Sequence, residues 1–173
     1  MESSVTFIYT DASFDKKHSM AVIGFAKFES HQDHQSTGLS DMELQFEVIS
    51  EKNNIRAELR AAIQALKSCP KNAKVILYSD CHSVTQLFQR REKLEKQNFI
   101  SRSSGLKLSN ADLYQAFYLT ADQLDLEIFW VKGHSSNKNS DFIESNFSYL
   151  DKQVRKKLRS EVLMFIENPK FGN

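Results

Sequence analysis

Residues 75–80, VILYSD, place four consecutive apolar side chains directly before a serine and an aspartate. A short apolar run without polar alternation is typical of a central strand covered by other elements on both faces. Asp80 ends this predicted strand, and Val84, Leu87 and Phe88 indicate a following helix with these side chains facing inward. The stretch therefore predicts a sheet with helices packed against it.

Three strands and a helix are predicted upstream of residue 75. Residues 5–10 form a period-two run of β-forming side chains that stops at Asp11, and residues 20–29 and 44–49 form two further strands. The polar residues 31–41 between them indicate a hairpin loop. Helical periodicity begins at Asn54, capped by asparagine, and Pro70 forbids its continuation. The apolar stripe of this helix consists of Ile55, Leu59, Ala62 and Leu66, and its polar stripe of Arg56, Arg60, Gln64 and Lys67.

The rest of the chain continues the alternation of helices and strands. Residues 113–124 predict a helix, residues 126–131 a strand and residues 143–158 a long final helix. The element order βββαβααβα predicts an α/β fold, with a five-stranded mixed sheet of three antiparallel and then two parallel strands flanked by helices. We expect a single domain over residues 1–173.

Composition narrows the class of protein. The 23 Lys and Arg nearly balance the 22 Asp and Glu, so a surface for a polyanion must be a local patch. Cys69 and Cys81 lack a metal-ligand or disulfide spacing, and we interpret them as reduced thiols. No signal peptide and no run of about 20 apolar residues is recognised, so we expect a cytoplasmic protein that binds no membrane. We also expect it to be a monomer.

Three carboxylates occupy positions where a charge is unfavourable. Asp11 and Asp80 end strands that the crossover rules place side by side. Glu58 lies on the stripe of its helix that faces the sheet. Buried like charges repel one another unless a cation neutralises them, and all-oxygen ligands favour Mg²⁺ or Mn²⁺. Taken singly, each acid has an ordinary alternative, such as a helix cap or a pair between Glu58 and Arg56 or Arg60.

A second polar feature lies between the predicted helices. Residues 90–107 interrupt the core pattern, so we predict a protruding basic segment that binds nucleic acid. Its basic side chains surround Phe99 and are Arg90, Arg91, Lys93, Lys96, Arg102 and Lys107.

Five motifs, in this order along the chain, resemble the type 1 ribonuclease H family. They are YTDAS at residues 9–13, NIRAELRAA at 54–62, YSD at 78–80, NADL at 110–113 and WVKGHS at 130–135. The resemblance implies a ribonuclease H fold and a two-metal endonuclease that uses two Mg²⁺ ions, with Mn²⁺ as substitute. Its substrate would be the RNA strand of an RNA–DNA hybrid, cut to 5′-phosphate and 3′-hydroxyl ends.

The resemblance also implies roles for individual residues. Asp11, Glu58 and Asp80 would bind the metals, and His134 would assist water activation or product release from a loop. The implied substrate-binding residues are Asn53, Asn54 and His82, together with Lys96 and Arg102 of the basic segment. Helix capping is the alternative role for the two asparagines, and the two roles are compatible.

The fourth metal-binding acid is left open among three residues. A gapless count from His134 favours Glu144, whereas the residues around Asp151 are more similar to the terminal motif of the family, and Asp141 is a third candidate. Glu144 and Asp151 are seven residues apart and share a helix face. We predict Asp151.

Two other function classes predict a different set of acids. A proofreading-type exonuclease should carry an Asp-x-Glu pair on its first strand, whereas this chain has Asp11-Ala12-Ser13. A binding module that kept the fold and lost catalysis is the alternative from outside the enzymes. Such a module would lack one or more of the metal-binding acids. In this chain, Asp11, Glu58 and Asp80 are all present.

Overall fold

A five-stranded mixed sheet forms the centre of the computed structural model, which describes residues 4–29, 39, 44–132 and 142–168. The strands are β1 (Val5–Asp15), β2 (Met20–Phe28), β3 (Leu44–Ser50), β4 (Lys74–Ser79) and β5 (Asp125–Trp130). The helices are α1 (Asn54–Lys67), α2 (His82–Thr85), α3 (Leu87–Lys96), α4 (Ala111–Ala121) and α5 (Phe142–Glu167).

The strand order is β3-β2-β1-β4-β5. The β1–β2 and β2–β3 pairs are antiparallel, and the β1–β4 and β4–β5 pairs are parallel. This arrangement confirms the predicted α/β class and the predicted sheet. As a result, β1 pairs with β2 as an antiparallel hairpin on one side and with the parallel strand β4 on the other.

Both faces of the sheet are covered, as the apolar run of β4 predicts. Ile8 packs with Leu59 of α1 and Phe117 of α4 on one face. Its neighbour Tyr9 packs with α5 on the other face, because successive side chains of a strand point to opposite sides. Burial of these side chains from water is the main favourable term that holds the layers together.

Gly24 of β2 allows α5 to approach the sheet closely. A Cβ atom built at this position would lie 2.5 Å from Cγ2 of Val154 on α5. That distance is shorter than any ordinary contact, so a larger residue would push the helix away. The close approach brings α5, including Asp151, against β1 and β2.

The segment after β4 differs from its prediction. One helix was expected there, but the chain forms α2 and α3 with a break at Gln86, where φ is −94° and ψ is 5°. The break changes the helical phase, so Phe88 is exposed rather than inward. Leu94 and Phe99 are buried in the core. The basic segment is therefore partly anchored, and its charged side chains lie on the outer side of a packed element.

The hairpin loop expected at residues 31–41 lies outside the described residues, apart from Leu39. Ile55, expected on the apolar stripe of α1, is exposed. In the described part of the chain, no helix has both the length and the apolarity that crossing a membrane requires.

Candidate metal centre

The strand register brings Asp11 and Asp80 together. In the parallel pair of β1 and β4, Tyr9 lies opposite Tyr78. Continuing that register by two residues places Asp11 opposite Asp80, just past the end of β4. The prediction that β1 ends at Asp11 was wrong, because β2 continues to pair with it as far as Asp15. Asp11 is thus fixed within β1 by the pairing with β2. On its other side, the pairing of β1 with β4 stops before Asp11, because β4 ends at Ser79.

Glu58 is supplied by α1, one turn from the start of the helix. Asn53 caps that helix with its side-chain oxygen, which accepts a hydrogen bond from the Arg56 amide at 3.0 Å. Asn54 Nδ2 donates to Glu58 Oε1 at 3.3 Å. One of the two predicted asparagines therefore fixes the helix start, and the other contacts the glutamate directly.

Asp11, Glu58 and Asp80 form one carboxylate cluster. Each offers an oxygen, and these oxygens all lie within 4.8 Å of one another. Asp11 is 3% exposed and Glu58 is 4% exposed. Within the described residues, Asp11 Oδ2 and Glu58 Oε2 are buried without a hydrogen-bond partner. Unpaired buried carboxylate oxygens are costly, and a hard divalent cation is the ligand that this donor set fits best.

The electrostatics of the carboxylate cluster agree with its geometry. Burial, followed by the charges of Asp151 and Asp80, raises the pKa of Asp11 well above its ordinary value. Burial, followed by the charges of Asp11 and Asp80, raises the pKa of Glu58 in the same way. A bound cation would reverse both shifts, since it favours the ionised form.

Without divalent cations, we expect Asp11→Asn to be more stable than the wild type. The folded-state pKa values of Asp11 and Glu58 lie above their unfolded values. The stability that their protonated forms provide is present below the ordinary carboxyl pKa and is lost as the pH rises through the folded-state pKa. The melting temperature of Asp11→Asn in EDTA should exceed that of the wild type by about 5 °C near neutral pH.

The comparison should be made by thermal unfolding in EDTA from about pH 4 to about pH 8. The gap between variant and wild type should widen as the pH rises, and Mg²⁺ should stabilise the wild type more than the variant. Asp125→Asn, at the other end of the sheet, is the matched control and should follow the wild type. A gap that stays constant or narrows with rising pH would contradict the raised pKa values.

The remaining predicted acids lie on or before α5. Asp151 is largely buried, its charge is the second-largest cause of the raised Asp11 pKa, and its Oδ1 lies 2.8 Å from Arg155 Nε. Glu144 is partly buried, two helical turns nearer to the start of α5. Asp141 and His134 lie outside the described residues.

Arg56, on the same helix as Glu58, donates hydrogen bonds to residues of two other segments. Its Nε donates to Glu51 Oε1 at 2.7 Å, and its terminal nitrogens donate to Asp112 at 2.9 and 2.8 Å and to the Ser109 carbonyl at 2.9 Å. This pairing lowers the pKa of Asp112 to about 2. The sequence pattern placed Arg56 on the polar stripe of α1, but the arginine is buried, because two carboxylates and a carbonyl satisfy its donors.

The two arginines therefore do not serve as partners of the cluster. Arg56 pairs with Glu51 and Asp112, and Arg60 also pairs with Glu51. Pairing of Glu58 with either arginine, the ordinary alternative left open by the sequence, is not what the structure contains. The carboxylate of Glu58 is left facing Asp11 and Asp80.

The other predicted substrate-binding residues are accessible. His82 begins α2, two residues after Asp80, and its side chain is exposed. Lys96 and Arg102 are also exposed. Lys96 pairs with Glu92 across one helical turn, and a surface pair of this kind contributes little to stability, so it exchanges readily for another anion.

A family model described as RNase H matches residues 3–146. A ribonuclease H from Hahella chejuensis is 36% identical over 88 residues, which cover 49% of this chain and 57% of that protein. A ribonuclease H from Orientia tsutsugamushi is 29% identical over 130 residues, which cover 75% of this chain and 72% of that protein. The match to the Hahella protein thus spans little more than half of its length.

A solved structure shares the fold. It is described as the crystal structure of LC9-RNase H1, a type 1 RNase H with the type 2 active-site motif. The TM-score is 0.66 at 14% sequence identity, and the match covers 90% of this chain and 72% of that chain. At this identity, the similarity supports only the shared arrangement of the sheet and helices.

Proposed function

Because the chain belongs to the ribonuclease H family, we propose that it is a metal-dependent endonuclease that hydrolyses the RNA strand of RNA–DNA hybrids to 5′-phosphate and 3′-hydroxyl ends. The observation that carries this proposal is the buried carboxylate cluster of Asp11, Glu58 and Asp80. The proposed cofactor is a pair of Mg²⁺ ions, with Mn²⁺ as substitute. Such a pair, when bound, activates a water for attack on a phosphodiester and stabilises the leaving oxygen.

Asp11, Glu58, Asp80 and Asp151 are the proposed ligands. The unpaired oxygens of Asp11 and Glu58 support the first two, and the influence of Asp151 on the Asp11 pKa supports the last. Asn54 holds one oxygen of Glu58 by a hydrogen bond, which leaves the other oxygen for a cation. The ion pair with Arg155 restricts the carboxylate of Asp151 in the same manner.

The remaining residues would act on the substrate. His134 is proposed to assist water activation or product release. The proposed contacts to the backbone and sugar hydroxyls of the hybrid come from Asn53, Asn54 and His82. Contacts to the 2′-hydroxyl allow a protein to distinguish RNA from DNA. Such contacts read shape rather than bases, so cleavage should be largely independent of sequence.

Cleavage of an end-labelled hybrid tests the proposed function. We expect cutting of the RNA strand with Mg²⁺ or Mn²⁺ and none with EDTA, while a DNA duplex and single-stranded RNA of the same sequence stay intact. Analysis of the product ends should yield 5′-phosphates. A protein that binds the hybrid but leaves it whole in both metals would instead be the non-catalytic binding module.

Asp151→Asn should reduce cleavage strongly, by about a hundredfold, because it removes a carboxylate that lies close to Asp11. Glu144→Gln is the matched control on the same helix and should remain within about threefold of the wild type. Steady-state rates over a Mn²⁺ titration provide the measurement, since loss of a ligand should also raise the metal concentration needed for half-maximal activity. The reverse ranking of the two variants would assign the role to Glu144.

Replacing Lys96 and Arg102 together with Gln should weaken hybrid binding and reduce its salt dependence. Each phosphate contact releases counterions, so the slope of log K against log salt should fall by about 2. Lys67 and Lys71 are exposed at the opposite end of the sheet, and the same double substitution there is the matched control. Fluorescence anisotropy with a labelled hybrid measures both slopes, and equal slopes for the two double variants would exclude the basic segment as a binding surface.

A further inference from the structure

An exposed pair of stacked rings lies beside the carboxylate cluster. Trp130 ends β5 and His82 begins α2, and their ring centroids are 5.2 Å apart with an interplanar angle of 6°. The indole Nε1 donates to the backbone oxygen of Asp80 at 3.0 Å. Trp130 nevertheless remains 49% exposed. A flat aromatic surface is therefore attached to the main chain of one cluster residue and faces solvent.

The hydrogen bond and the stack fix the indole before any ligand arrives. The only polar atom of the indole is already bonded to the main chain of Asp80, so the surface that remains exposed is apolar. A tryptophan with its N–H satisfied and its ring accessible is suited to packing against a partner. Because the ring is held in place, little side-chain entropy is lost on binding.

We propose that Trp130 is a substrate-contacting residue, whose indole packs against sugar rings of the hybrid next to the scissile phosphate. This inference rests on the proposed function. The bases of a hybrid duplex are stacked inside the helix, so an aromatic ring beside the backbone meets sugars and phosphates. Phosphates are bound by cations, whereas the C–H faces of the sugars are apolar. His82, whose ring stacks on the indole, is also exposed and lies next to Asp80.

Trp130 is the only tryptophan of the chain, so its fluorescence reports on this position alone. The Asp11→Asn chain in Mg²⁺, expected to bind without cutting, should be titrated with a labelled hybrid while anisotropy and tryptophan emission are both recorded. We expect the emission to change along the same curve as the anisotropy. Binding without any change in emission would overturn this inference and leave the proposed function standing. No binding at all would overturn both.

Two variants of Trp130 distinguish a role in packing against the substrate from a role in supporting the main chain of Asp80. Trp130→Ala should raise KM about tenfold with kcat within about twofold of the wild type, and Trp130→Phe, which keeps a ring, should restore KM to within about twofold. Phe129, 46% exposed on the opposite face of the same strand, is the matched control, and Phe129→Ala should leave both constants unchanged. An equal fall of kcat in both Trp130 variants would show that the residue acts only through the Asp80 carbonyl and would overturn the inference.

Discussion

Asp80→Asn is expected to lower the rate of hybrid cleavage by about a thousandfold, or ~4 kcal/mol in activation free energy. The substitution keeps the size of the side chain and removes one of the four charges that would hold the metal ions. Asp80 is only partly buried, and its contact with Trp130 uses the main chain. The fold should therefore survive while metal binding is weakened.

Single-turnover cleavage with saturating Mg²⁺, together with circular dichroism, makes this measurement. Asp125→Asn is the matched control, because Asp125 is an exposed strand aspartate at the other end of the sheet. It should cleave at the wild-type rate. A folded Asp80→Asn protein that retains more than about a tenth of the activity would exclude Asp80 from the chemistry.

Arg56→Met should destabilise the protein by about 3–5 kcal/mol, the cost of removing one partner of a buried ion-pair network. Glu51 is almost completely buried and accepts a hydrogen bond from Arg56. The same arginine binds Asp112 with two hydrogen bonds. Its removal would leave Glu51 with a single arginine partner and release the start of α4 from the start of α1.

Urea unfolding at neutral pH measures the loss of stability. Arg60 also pairs with Glu51, but its side chain is 43% exposed. Arg60→Met is therefore the matched control and should cost about 1 kcal/mol or less. Equal losses for the two variants would mean that the buried network adds no more stability than a surface pair.

Much of the fold could be predicted from the hydrophobic pattern, because each part of the pattern is compatible with one kind of packing. Continuous apolar residues in β4 require cover on both faces, and the alternating residues of β1 and β3, with the apolar run of β2 between them, permit hairpin pairing. The membership predicted from five motifs is confirmed by the family match over residues 3–146. The proximity of Asp11, Glu58 and Asp80 followed from strand adjacency and helix phase, and their oxygens do lie together.

The features that sequence patterns missed depend on contacts between distant segments. Arg56 has the position of a surface residue on α1, and only the approach of Glu51 and Asp112 makes its burial favourable. The stack of His82 on Trp130 joins residues 48 positions apart. The break at Gln86 carries no proline or glycine that would signal it.

A crystal of the protein soaked in Mn²⁺, with anomalous scattering used to locate the ions, would show directly whether the carboxylate cluster binds metal. We predict manganese bound by oxygens of Asp11, Glu58 and Asp80, with Asp151 contributing and Glu144 turned away. The same soak of the Asp80→Asn protein should lose at least one ion. A crystal in which Mn²⁺ binds elsewhere and leaves these three carboxylates without metal would contradict the proposed metal centre.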